Sequence, residues 1–60
     1  MKEYSIMCGR RDVGNIAALS PYEALREFLG RRGARREEIT TLGPDKLSWL
    51  GAVYTAVPVA

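Results

Sequence analysis

The stretch Ser20-Pro21-Tyr22-Glu23 constrains this chain more than any other. It has the form of a capping box. A serine oxygen can accept from the backbone N–H three residues on, and the glutamate there can reach back to the serine N–H. Proline suits the first helical position, where its missing N–H costs nothing. Downstream, Pro21, Ala24, Leu25, Phe28 and Leu29 fall on one stripe at helical spacing. Glu27 precedes Arg31 by four, the favourable orientation for an ion pair along a helix. Gly30 or Gly33 can adopt the left-handed stop. The pattern predicts one helix over about residues 21–32, with a single apolar stripe that needs a sheet to cover.

The segments on either side supply one. Glu3 to Cys8 alternate, with Tyr4, Ile6 and Cys8 on one face and Glu3, Ser5 and Met7 on the other, as a strand buried on one side does. Residues 9–14, GRRDVG, carry turn chemistry. Residues 15–20, NIAALS, read as a second antiparallel strand, with an irregular lead into the helix as the alternative. After the helix, Ile39, Thr40 and Thr41 are β-branched, and Pro44-Asp45 suits the centre of a turn. That turn would set Leu42 opposite Leu47, Thr40 opposite Trp49 and Ile39 opposite Leu50. The final strand would run on to Pro58, with Gly51 as a bulge or bend. The expected fold is α+β in the order β-β-α-β-β, an antiparallel sheet with one helix on one face.

At 60 residues the chain allows one small domain, residues 1–60. Such a domain buries only about 60% of the surface its unfolded chain exposes, so extra support is expected. Cys8 is the only cysteine, which leaves no intrachain disulfide, and the absence of histidine rules out a Cys/His zinc site within one chain. No cofactor, metal or catalytic residue is expected, because the carboxylates lie in charged, surface-like settings and no phosphate-loop spacing occurs. Cys8 shares the inward face of its strand with Tyr4 and Ile6, which favours a structural role over a reactive thiol. Nothing approaches the roughly 18 apolar residues of a membrane helix, and no signal peptide is expected, because MKEYSIMCGRR lacks an apolar core of sufficient length. A single unpaired cysteine suits a reducing compartment, so a cytoplasmic location is expected.

Two surfaces attract attention. The first is basic. Net charge is +2, yet four of the seven arginines lie in GRRGARREE. If the strands alternate up and down, Arg10, Arg11, Arg31, Arg32, Arg35 and Arg36 gather at one end. Asp12, Glu37 and Glu38 lie there too and halve its charge. The bland interpretation is a solvated end whose Arg31 and Arg32 complement the helix dipole. The functional one is a site for anions or nucleic acid. Base stacking would require exposed aromatics, and the five aromatic residues mostly fall in apolar patterns instead.

The second surface is the final strand. It is apolar at odd positions (Leu47, Trp49, Val53, Val57) and at even ones (Leu50, Ala52, Tyr54, Ala56). One helix can cover only one face, expected to be that of Trp49. Leu50, Ala52, Tyr54 and Ala56 would then be left for a partner. The strand would also outrun its hairpin neighbour and leave a free edge. These features lead to the expectation of a small non-enzymatic module that forms a homodimer, with nucleic-acid binding as the alternative.

The stretch IAALSPYEALREFL resembles a recurrent junction between a strand and a capped helix in small β-α-β modules. The resemblance consists of a cap and an apolar stripe, and neither a family nor a functional residue follows from it.

Overall fold

A computed structural model describes residues 1–59. Strands β1 (Lys2–Cys8) and β2 (Arg11–Ala18) form a hairpin, followed by helix α1 (Pro21–Arg31) and a short 3-10 turn at Arg36–Glu38. Strands β3 (Ile39–Gly43), β4 (Lys46–Trp49) and β5 (Ala52–Pro58) complete one sheet of order β2-β1-β5-β4-β3. Every neighbouring pair is antiparallel. The class is the expected α+β arrangement, with the helix packed on one face of the sheet.

The helix starts where its sequence predicts, with the Ser20 half of the expected capping box; among the described hydrogen bonds none returns from the Glu23 carboxylate to the Ser20 N–H. The Ser20 side chain accepts from the Glu23 N–H at 3.2 Å, and Pro21 opens the first turn. Loss of such a cap costs about 0.5–2 kcal/mol. Ala24, Leu25, Phe28 and Leu29 are buried, and the Glu27–Arg31 pair forms at 2.8 Å. Gly33, at φ +88°, ends the helix. Its N–H bonds the Gly30 carbonyl, and the Ala34 N–H bonds that of Leu29, the paired closure of a Schellman motif. Beneath the helix, Tyr4, Ile6, Ile16, Ala18, Leu47 and Ala56 complete the core.

Three local features depart from the sequence expectation. First, the β1–β2 turn is only Gly9-Arg10, with Gly9 at φ +66°, so Arg11 to Gly14 are already strand. A bulge at Val13 lies between the Ile6–Gly14 and Met7–Asp12 pairs. Second, the Pro44-Asp45 turn forms, but a bulge at Leu42 shifts the pairing by one. Thr41 lies opposite Leu47, Thr40 opposite Ser48 and Ile39 opposite Trp49. The shift brings Ile39 to the helix side, where it packs against the core, and leaves Leu42 exposed.

Third, the long final strand is two strands. Leu50 and Gly51 both have positive φ, +50° and +79°, between the closing pair Trp49–Ala52. This is a two-residue hairpin of the I′ kind, whose twist matches that of the flanking strands. β5 therefore folds back beside β4 and also pairs with β1, in the centre of the sheet.

Candidate functional site

Strand directions place the six expected arginines in segments at one end of the sheet. Arg10 sits in the β1–β2 turn, Arg11 begins β2, and Arg31 and Arg32 end the helix. Arg35 and Arg36 lie in the connection to β3, and all six are exposed. Their surroundings differ. Arg31 is paired with Glu27, and the Arg32 guanidinium lies 4.6 Å from the centre of the Phe28 ring. Arg10, Arg11, Arg35 and Arg36 have no carboxylate within ion-pair distance among the described residues.

The nearby acids have other partners. The Asp12 carboxylate accepts from the Ser5 hydroxyl at 2.7 Å and from the Gly14 N–H at 3.0 Å. That of Glu38 accepts from the Arg35 N–H at 2.9 Å and from the Trp49 indole at 3.3 Å. The Asp12 bonds span the bulge of the β1–β2 hairpin, and those of Glu38 tie the connection before β3 to the sheet.

A further basic group lies outside the arginine-rich run. Arg26 donates to the Tyr22 hydroxyl at 3.1 Å, and its guanidinium lies 5.9 Å from the Tyr22 ring centre. The Arg26 hydrogen bond, with Thr41 also acting on the hydroxyl and Arg36 adding its charge, holds the Tyr22 phenol below its ordinary ionisation value. Tyr22 and Arg26 thus share one face of the helix, and Arg36 belongs to the connection before β3. Only the i,i+4 spacing of Tyr22 and Arg26 hints at this contact in the sequence, because Thr41 and Arg36 arrive through the fold.

The four residues expected at a self-association face are not left for a partner as a set. Ala56 is 2% exposed beneath the helix. Tyr54 is half-buried, its ring 5.9 Å from that of Phe28 and 6.5 Å from that of Trp49. Ala52, opposite Trp49, is also half-buried. Leu50 alone is open, 72% exposed at the hairpin tip. The expected free edge from Ala52 to Val57 is absent, because β5 is paired on both sides. The helix covers the Trp49 face as expected, but Tyr54 lies on that same face because the chain reverses at Leu50-Gly51.

The opposite face of the sheet is uncovered. At its centre the cross-strand pairs Ser5–Val57, Met7–Thr55 and Ser48–Val53 adjoin one another. Val53 and Val57 are each 44% exposed. Cys8 is half-buried at the end of β1, so its side chain is less enclosed than the alternation predicts.

Among the described residues, no group of three Cys, Asp or Glu side chains is placed to hold a metal, and the surface encloses no pocket. No helix among them is long and apolar enough to cross a membrane. Comparison with known proteins finds no family model, curated protein or solved structure that matches the chain.

Proposed function

We propose that this chain is a small non-enzymatic interaction module that pairs with a second copy of itself by stacking the uncovered faces of the two sheets. The observation that carries the reading is the exposure of Val53 and Val57 on the central strand, opposite the helix. Their neighbours Ser5, Met7, Ser48 and Thr55 are uncharged, while Asp12 lies opposite Met7, Lys46 opposite Thr55, and Glu3 two residues beyond Ser5. A neutral centre with a charged rim suits a face that is partly desolvated on contact. Three strands about 4.8 Å apart and some 20 Å long give a footprint of roughly 300 Å² per copy. That is small for a stable interface, so association in the micromolar range or weaker is expected. The half-buried lone Cys8 suits a reducing setting, and we place the module in the cytoplasm.

Sedimentation equilibrium from micromolar to millimolar concentration tests the reading. The parent chain should associate, and Val53→Lys with Val57→Lys should give a monomer whose circular dichroism is unchanged. A parent that stays monomeric throughout would remove the proposal.

The second reading is nucleic-acid binding through Arg10, Arg11, Arg35 and Arg36, which are exposed and lack ion-pair partners among the described residues. Because the aromatic rings pack in or against the core, this binding would rest on phosphate contacts and weaken steeply with salt. Replacing these four arginines with glutamine should then abolish it and leave folding intact.

A further inference from the structure

The Leu50-Gly51 turn lies at the arginine end of the sheet. β1 ends at the Gly9-Arg10 turn, and β5 runs antiparallel to β1 with Tyr54 opposite Cys8, so the turn leading into β5 stands beside it. The centres of the two turns are two strand spacings apart, roughly 10 Å. The helix also ends here, and the connection with Arg35 and Arg36 enters β3 at Ile39, opposite Trp49. Leu50 is 72% exposed, and it is the only non-glycine with positive φ among the described residues. Asparagine would suit this backbone better, so neither burial nor conformation accounts for a leucine. Backbone strain of this kind gathers at sites that contact a ligand.

Arg10, Arg11, Arg31, Arg32, Arg35 and Arg36 share this end with Asp12, Glu27, Glu37 and Glu38, which leaves a surplus of two positive charges. Elsewhere Lys2, Arg26 and Lys46 balance Glu3, Glu23 and Asp45, so the whole net charge of +2 resides here. Three of the four acids are engaged: Glu27 with Arg31, Asp12 with Ser5 and Gly14, and Glu38 with Trp49 and the Arg35 N–H. Glu37 is exposed and opposes the surplus directly. Every cation at this end is an arginine, whereas both lysines begin strands at the opposite end, Lys2 in β1 and Lys46 in β4. Guanidinium groups pair bidentately with phosphate oxygens, which ammonium groups cannot do.

We propose, on the basis of the nucleic-acid reading above, that this end binds double-stranded DNA through the minor groove, with arginines on the flanking phosphates and Leu50 wedged between two base pairs. Single strands are held by exposed rings on which bases stack; here Trp49 and Tyr54 pack against the core and Phe28 lies beneath Arg32. An apolar tip among arginines instead matches the way minor-groove proteins part a base step and bend the duplex. TA steps part most easily, and A·T-rich minor grooves are narrow and attract arginine. Duplex RNA offers only a wide, shallow minor groove. The five strands span roughly 20 Å, which covers about six base pairs. A lipid surface is the poorer occupant, since one leucine inserts little apolar area.

The test titrates the full chain, at low salt, into a dye-labelled A·T-rich duplex with 2-aminopurine at a central TA step. The parent should bind the duplex more tightly than either single strand, and 2-aminopurine fluorescence should rise as the step unstacks. If Arg10, Arg11, Arg35 and Arg36 each hold a phosphate, log affinity should fall against log salt with a slope of about −3 to −4. Leu50→Asn, which the turn geometry favours, should bind about tenfold more weakly, keep that slope and lose the fluorescence rise. Leu50→Met, still apolar, should keep the rise. A parent that binds no duplex would remove the nucleic-acid reading and the wedge together. Duplex binding without a rise, a rise that Leu50→Asn retains, or a preference for single strands would overturn the wedge and leave the arginine contacts standing. Tighter binding to phosphatidylserine vesicles than to the duplex would overturn the proposal in favour of a lipid surface.

Discussion

Leu50→Asn should stabilise the protein. Leu50 is the first central residue of the β4–β5 hairpin and has φ +50°. The left-handed conformation costs an ordinary L residue about 1–2 kcal/mol, whereas asparagine tolerates it and Asn-Gly is the preferred pair in such a turn. The substitution also removes apolar burial. A fully buried leucine contributes about 1.5–3 kcal/mol, and at 72% exposure Leu50 retains only about 0.5 kcal/mol of that. The net gain is about 0.5–1 kcal/mol, which in a domain of this size raises the unfolding midpoint by roughly 2–8 °C. Leu50→Gly should gain less, because glycine adds unfolded-state freedom, and Leu50→Val should destabilise, because a β-branched residue fits this region worst. Circular dichroism melts at low micromolar concentration, where association is weak, measure all three. A less stable asparagine variant, or a valine variant equal to the parent, would mean that residue 50 is not left-handed. The hairpin would then open into one strand, and the central place of β5 would be lost with it.

Glycine-to-alanine substitution should act with opposite signs at two positions. A Cβ on Gly14 would lie 3.2 Å from the Phe28 ring, which is held between Arg32 and Tyr54, and φ there is +156°. Gly14→Ala should therefore cost about 1–3 kcal/mol in a thermal melt. Gly30→Ala, in the last helical turn with nothing within 4 Å of the new Cβ, should gain up to about 1 kcal/mol. Tyr22 should ionise below the ordinary phenol value in an ultraviolet titration, and Arg26→Gln should move it back up. Since the folded-state value is the lower one, its stabilising contribution is present above the unfolded-state value and lost as pH falls through the folded-state value; it is confined to alkaline pH.

Legibility followed how local each signal was. The helix could be read because Ser20, Pro21 and Gly33 each act within a turn of their own position, and the observed geometry matches them at both ends. The β1 face could be read because Tyr4 and Ile6 alternate with polar neighbours. The bulges at Val13 and Leu42 could not, since each is decided by pairing across strands. The arginine end could be placed from strand direction alone. The bond from Arg26 to the Tyr22 hydroxyl could not, because Arg26 reads as an ordinary helix-surface residue.

The hidden turn at Leu50-Gly51 changes what the protein offers a partner. Read as one strand, residues 47–57 place apolar side chains on both faces, which one helix cannot cover. A two-residue reversal pairs Trp49 with Ala52, so the odd positions before the turn share a face with the even positions after it. Leu47 and Trp49 then join Ala52, Tyr54 and Ala56 on the helix side. Of the remaining apolar residues in this segment, Val53 and Val57 fall on the open face and Leu50 at the hairpin tip. The apolar excess that suggested a dimer shrinks from a whole strand face to two valines and a leucine. This is why the association proposed for the open face is weak. It also moves the free edge of the sheet from β5, now paired on both sides, to β3 and β2.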